Sequence, residues 1–298
     1  MAPRTIGDLM ADFRSYIPHV QDGECQALVW KALQLIHGEE DLSFFVAEPP
    51  ARIVTEAAYS TGTITIVGTA ITLTGGAWNP AWTGRRLIVA GRAERYSIAI
   101  TGAASGTITE AYLGTETTDL TYTLFRDVYE LPANCEFSKE IVVFDVLRKE
   151  EITFVDYEAL VFERERSSAR PGQPLRVARV GLSADGKPQL LFDPPPSAAA
   201  PYLVPYYRSA TKPATLTTPL DPPWPNAFHD VPALRAVVEY ANRKGHPRRA
   251  EWAKQYRVRM RKLRSKCDGG NELRRRLRDR RLEDSAGIVS MYVTMREG

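Results

Sequence analysis

Six arginines, Arg274, Arg275, Arg276, Arg278, Arg280 and Arg281, stand within eight consecutive positions. Seven more cations, Lys254, Arg257, Arg259, Arg261, Lys262, Arg264 and Lys266, crowd the stretch before them. Like charges at i, i+4 on a helix repel one another, and an anionic surface nearby relieves that repulsion. Phosphates of a nucleic acid bind Arg and Lys without regard to base sequence. Carboxylates of an acidic protein accept the arginine fork bidentately. Beyond the arginines come Ile288, Val289, Met291, Tyr292 and Val293. A phosphate-binding arm has no need of such residues, whereas a chain that buries its end in a neighbouring protein does. A merely solvated helix face is the plainest alternative. No helix-turn-helix, zinc-finger or RRM pattern accompanies the cations, so sequence-specific recognition of nucleic acid is not expected.

Catalytic chemistry is harder to assemble. His19, His37, His229 and His246 stand alone, without HExxH or Cys/His ligand spacing. Neither a Gly-x-Ser-x-Gly elbow nor a Gly-x4-Gly-Lys-Ser/Thr phosphate loop occurs. Asp145, Glu150, Glu151 and Asp156 are close enough in sequence to meet as paired carboxylates, but solvated charges explain them as well. The expectation is a protein that is not an enzyme, with no catalytic residues, no metal and no cofactor. Cys25, Cys135 and Cys267 are isolated and odd in number, which argues against a disulfide framework.

The elements that must position the basic stretch follow from pattern. The chain has 298 residues, 44% hydrophobic and 25% charged, enough for one large or two modest folded domains. No apolar run approaches the ~18 residues of a membrane span, and the N-terminus lacks the apolar core of a secretory signal, as expected of a protein made in the cytoplasm. Charge is uneven: residues 1–242 carry a net −8, residues 243–281 a net +13 and residues 282–298 a net −2. The acidic excess of the first part would suit a channel along which DNA slides without sticking.

Ile6, Leu9, Met10, Phe13 and Ile17 form one helical stripe that Pro18 stops. Asp22 is a candidate N-cap for a second helix, with Cys25, Leu28, Val29, Ala32, Leu33 and Ile36 on one face and Gly38 as its stop. From Ser60 to Phe125, Thr alternates with Ile, Val or Leu between glycine turns, the pattern of a small β-sandwich or barrel inserted as a module. Asp156 is placed to cap a short helix through Arg166. Residues 176–182 and 189–192 flank an Asp185-Gly186 turn as a hairpin. Tyr202–Arg208 is expected at a sheet edge because of Pro205. A helix over Val231–Lys244 ends at Gly245, and the next puts Trp252, Ala253, Tyr256, Met260 and Leu263 on one side and cations on the other. Gly269-Gly270 forms a hinge before an arginine-rich helix, Leu273–Leu282, and an extended tail.

These pieces imply an α+β protein: a helical body of about four main helices with short strands, residues 1–57 and 128–268; an all-β module, residues 58–127; and a basic C-terminal arm, residues 269–298. Their order resembles the head-to-tail adaptor proteins of tailed bacteriophages, also called head-completion proteins or tail accessory factors. The resemblance rests on Ile6-Gly-Asp-Leu-Met-Ala-Asp-Phe, on Leu190-Leu-Phe-Asp-Pro-Pro-Pro followed by Tyr202-Leu-Val-Pro-Tyr-Tyr-Arg, and on Asp230-Val-Pro-Ala-Leu-Arg-Ala-Val-Val-Glu-Tyr-Ala with Ala253-Lys-Gln-Tyr-Arg-Val-Arg-Met-Arg-Lys-Leu-Arg. It covers residues 1–55 and 128–298 in texture and order. The Thr/Gly-rich segment resembles the β-module of longer adaptors, a departure from the short ones.

The resemblance implies a virion protein at the head–tail interface: a homo-oligomeric ring of about twelve copies beneath the portal protein. Such a ring extends the channel for packaged double-stranded DNA and presents a platform for a tail, nozzle or fibre protein, with no membrane involved. The arm then reaches the portal, where Arg274–Arg281 pair with carboxylates and Ile288–Val293 add β-type contacts. Two other functions fit. One is another tail or nozzle component whose β-module binds carbohydrate or a fibre through Trp78, Trp82 and Tyr96, although aromatic residues in a small β-domain are more often core. The other is a DNA-binding, packaging-associated protein, resting on the basic arm alone.

Overall fold

The first apolar stripe forms helix α1 (Ile6–Tyr16), and a computed structural model describes the chain over residues 4–115, 117–139, 141–166 and 170–267. Helix α2 (Asp22–Glu39) follows, then strand β1 (Ala51–Val54) and six strands of the Thr-rich segment: β2 (Thr63–Val67), β3 (Ala70–Thr74), β4 (Arg86–Val89), β5 (Arg95–Gly102), β6 (Ser105–Ile108) and β7 (Tyr122–Phe125). After them come β8 (Val128–Glu130), β9 (Val143–Asp145), β10 (Glu150–Phe154), helix α3 (Tyr157–Arg166), β11 (Arg176–Leu182), β12 (Pro188–Asp193) and β13 (Pro201–Val204). Helices α4 (Asp230–Lys244) and α5 (Arg249–Cys267) close the described chain.

These elements fall into two units. One comprises residues up to Pro50, Asn134–Ile141 and the chain from Pro205; the other comprises Ala51–Ala133 and Val142–Val204. In the first unit, Thr5 caps α1: its Oγ1 accepts from the Asp8 N–H at 3.2 Å while Asp8 Oδ2 accepts from the Thr5 N–H at 2.8 Å. Asp22 is the first residue of α2 rather than its cap, where its charge suits the positive helix end. Helix α2 runs through Gly38, the expected stop, to Glu39. The stripes of α1, α2, α4 and α5 bury Phe13, Leu33, Ile36, Val237, Ala241, Trp252 and Met260 in one cluster.

The second unit contains two sheets. The six-stranded one, ordered β2-β3-β6-β5-β4-β7, closes on itself. Ile64 of β2 exchanges both backbone hydrogen bonds with Leu120 at 2.9 Å, and Tyr59 does so with Leu124 at 2.8 Å, so this barrel leaves no open edge there. Its alternating residues fill the interior with Ile64, Ile66, Leu73, Leu87, Ile98 and Leu124. Gly62 is indispensable at the closure, because it adopts φ +84° and a Cβ there would meet the Thr74 carbonyl oxygen at 2.2 Å.

The other sheet has seven strands in the order β1-β13-β9-β10-β11-β12-β8. Only β10 and β11 run parallel, and α3 supplies the crossover that a parallel pair requires. Asp156 caps α3, accepting from the Ala159 N–H at 3.0 Å, and Leu160 packs on Ala178 and Leu191 of the sheet. The β11–β12 hairpin turns at Asp185-Gly186, where Gly186 takes φ +73°.

This architecture corrects the expected fold class. Thirteen strands in two sheets outweigh five helices among the described residues, so the protein is mostly β rather than a helical body of four main helices with short strands. Residues 128–204 make the difference: strands of three to seven residues, read one at a time, give no sign that they join one sheet. Strand β13 lies between β1 and β9, not at an edge: it ends before Pro205, and Pro201, which has no N–H, stands at its first position. The expected extended arm, residues 269–298, lies outside the described residues.

Candidate functional site

Helix α4 ends at Gly245, and the chain turns there into α5. Gly245 takes the left-handed conformation at φ 63° and donates its N–H to the Ala241 carbonyl. His246 donates its N–H to the same carbonyl at 3.0 Å, and its ring stacks on Trp252 with centroids 4.6 Å apart. Trp252, Tyr256, Met260 and Leu263, at i, i+4, i+8 and i+11, are buried. Burial raises the Tyr256 hydroxyl above its ordinary range, and burial followed by the Asp230 carboxylate does the same for Tyr16.

The opposite face of α5 carries the charge, and the structure sorts its cations into two sets. Arg259 donates from Nε to Asp230 Oδ2 at 2.7 Å. Arg264 grips Glu40 with both arms of its fork, Nε reaching Oε2 at 2.7 Å. Arg248 pairs with Glu251 at 2.9 Å, which lowers the Glu251 pKa. Lys254, Arg257, Arg261 and Lys262 are exposed and make no ion pair among the described residues. They flank Val258, an apolar residue 42% exposed on the polar face. This stretch of α5, about two and a half turns from Lys254 to Lys262, is the candidate site: a cationic strip with an apolar centre, on a helix anchored by four buried side chains.

Beside it lies a groove of about 380 Å³, walled by Tyr16 at the end of α1, Asp230 and Leu234 at the start of α4, and Lys254, Val258 and Arg259 of α5. One oxygen of Asp230 holds Arg259; the other is buried and accepts no hydrogen bond among the described residues. Sequence patterns missed this groove. The available signal was Val258, which interrupts a run of cations on the face opposite Trp252 and Tyr256.

Buried polar groups also hold the same unit together. Lys139 donates to the Glu40 carbonyl at 2.7 Å and to Asp41 Oδ1 at 2.9 Å. His37 is buried, stacks on Phe45 at 3.7 Å and places Nδ1 3.3 Å from the Arg208 carbonyl oxygen. Burial, opposed by that backbone contact, lowers its pKa from 6.5 to about 4. The folded state thus resists a proton that the unfolded chain accepts below pH 6.5, so stability rises with pH across this interval. Acidification from pH 7 to 4 is expected to remove about 3 kcal/mol through this group. Urea midpoints measured across that range will show the slope, and His37→Phe will flatten it.

In the strand-rich unit, Trp78 and Tyr96 are each only 3% exposed. Trp78 Nε1 donates to Tyr122 Oη at 3.0 Å, and that hydroxyl donates on to the Thr61 carbonyl at 3.0 Å. Both rings therefore fill the barrel core, a correction to their candidacy as contact residues. Trp82 remains half-exposed, with the Arg85 guanidinium 4.5 Å over its ring. The candidate portal-contacting residues Arg274, Arg275, Arg276, Arg278, Arg280, Arg281, Ile288, Val289, Met291, Tyr292 and Val293 lie outside the described residues.

Among the described residues, no group of three or more His, Cys, Asp or Glu could hold a metal ion, and no helix is long and apolar enough to cross a membrane. Cys25 and Cys135 are buried and form no disulfide among the described residues, and burial raises the Cys25 pKa. No protein-family model matches this chain, and no curated protein matches it.

Proposed function

We propose that this protein is a structural virion component, a head-to-tail connector adaptor. Its copies form a ring beneath the portal, extend the channel for packaged DNA and give the tail its attachment platform. The observation that carries this proposal is the cationic strip of α5: Lys254, Arg257, Arg261 and Lys262 lack acidic partners among the described residues. The strip sits on the last described helix, from which the arginine-rich arm and apolar tail continue. A surface so charged, on a helix so firmly packed, is suited to an anionic macromolecule rather than to a small substrate. Residues 274–293 fit the portal-contacting role through arginine forks and apolar side chains.

Native mass of the full chain, alone and mixed with the portal protein of the same genome, tests this. The chain is 33.3 kDa, so a dozen copies would add about 400 kDa to the portal ring, a closed cyclic assembly. A chain that stays monomeric beside an intact portal ring overturns the proposal.

A further inference from the structure

The exposed face of α3 and the groove beside α5 have complementary chemistry. Phe162 projects from α3 with 57% of its surface exposed, and exposed Glu158 stands one turn before it on the same face. Exposed Asp156, which caps the helix, adds a second carboxylate at that end. The groove offers the converse: Tyr16, Leu234 and Val258 as apolar wall, Lys254 beside them, and exposed Arg261 one helical turn beyond Val258.

We propose that the groove receives α3 of a second copy of this chain, with Phe162 seated against Val258 and Leu234 and Glu158 facing Lys254 and Arg261. The inference rests on the ring assembly proposed above and names the surfaces that build it. An aromatic anchor in an apolar groove supplies affinity, while these charges set register and association rate. Duplex DNA fits the groove less well, because its phosphates would bury Val258 without gain. The two patches differ and lie on the same chain, so the contact is head-to-tail and generates a ring if the rotation closes.

Disulfide trapping in the full chain tests this, free and on the portal ring, with Cys267→Ser as background. Val258→Cys and Phe162→Cys in one chain are expected to give a ladder of covalent oligomers on oxidation. Mixing the two single-cysteine chains gives dimers, and each alone gives none. Lys254→Glu with Arg261→Glu is expected to weaken self-association tenfold or more, and adding Glu158→Arg restores it in part. A disulfide within one chain, or cross-linking of Val258→Cys to itself, overturns the proposal. So does charge reversal that abolishes duplex DNA binding and leaves assembly intact. A full-sized ring with no trapped disulfide overturns this interface alone, whereas absence of any ring in the unmodified chain overturns the adaptor function.

Discussion

Replacing Arg164 with methionine will destabilise the strand-rich unit by about 3–5 kcal/mol, the cost of leaving a buried charge unpaired. Arg164 of α3 is 4% exposed and holds two buried carboxylates at once. Its Nε donates to Asp193 Oδ1 and its Nη1 to Asp127 Oδ2, both at 2.7 Å, and Nη2 adds the Phe192 carbonyl. Arg176 takes the other Asp193 oxygen at 2.6 Å, so Asp193 keeps a partner in the variant and Asp127 loses its cation. Asp127 lies between β7 and β8, where the chain leaves the closed barrel and enters the seven-stranded sheet. One guanidinium therefore fixes α3, the end of β12 and that junction together. Urea unfolding followed by far-UV circular dichroism will show the lowered midpoint. Adding Asp127→Asn to Arg164→Met should recover much of the loss, because an amide costs far less to bury than an unpaired carboxylate. A loss below about 1 kcal/mol, the scale of an exposed pair, would mean that water reaches these groups.

What could be inferred beforehand divides along the same line between local and distant pairing. The Thr/Ile alternation over 63–74 is a period-2 signal, and β2 and β3 bury Ile64, Ile66, Ile71 and Leu73 as it requires. The helical stripes behave likewise, since each is set by neighbours three and four residues away. The pairing of β1 with β13 depends on contacts such as Ile53 with Tyr202, between segments far apart in the chain, and no local pattern encodes it. That is why the pattern predicts scattered strands in a helical body where the structure has one seven-stranded sheet. The site followed the same rule. The cations of α5 are plain from residue type, but which of them are neutralised is not. Glu40, 224 residues before Arg264, takes that arginine, while nothing among the described residues takes Arg261. The aromatic residues of the barrel were visible as types, yet only the three-dimensional structure places Trp78 inside and Trp82 at the surface.

Trp252→Ala is the substitution that best separates the strip's charge from its support. Trp252 is 1% exposed and lies in the core cluster shared by α1, α2, α4 and α5. It packs edge-on to Tyr16 at 6.4 Å and stacks with His246 at 4.6 Å. Removing its indole will cost about 3–5 kcal/mol, transfer free energy plus the residual cavity, and the guanidinium of Arg248, 5.3 Å over the ring, loses its cation–π contact. Lys254→Glu with Arg261→Glu, by contrast, changes only exposed side chains without ion-pair partners among the described residues, so each should alter stability by no more than about 0.5 kcal/mol. Thermal unfolding of both variants, paired with native mass in the presence of the portal ring, gives a two-way test. If the strip acts by its charge, the reversal variant will stay folded and fail to assemble. The tryptophan variant will lose stability first, and assemble at temperatures where α5 remains packed. Should the reversal variant assemble normally, the cations of α5 are solvent decoration, and the weight of the adaptor function moves to the arginines of residues 274–281.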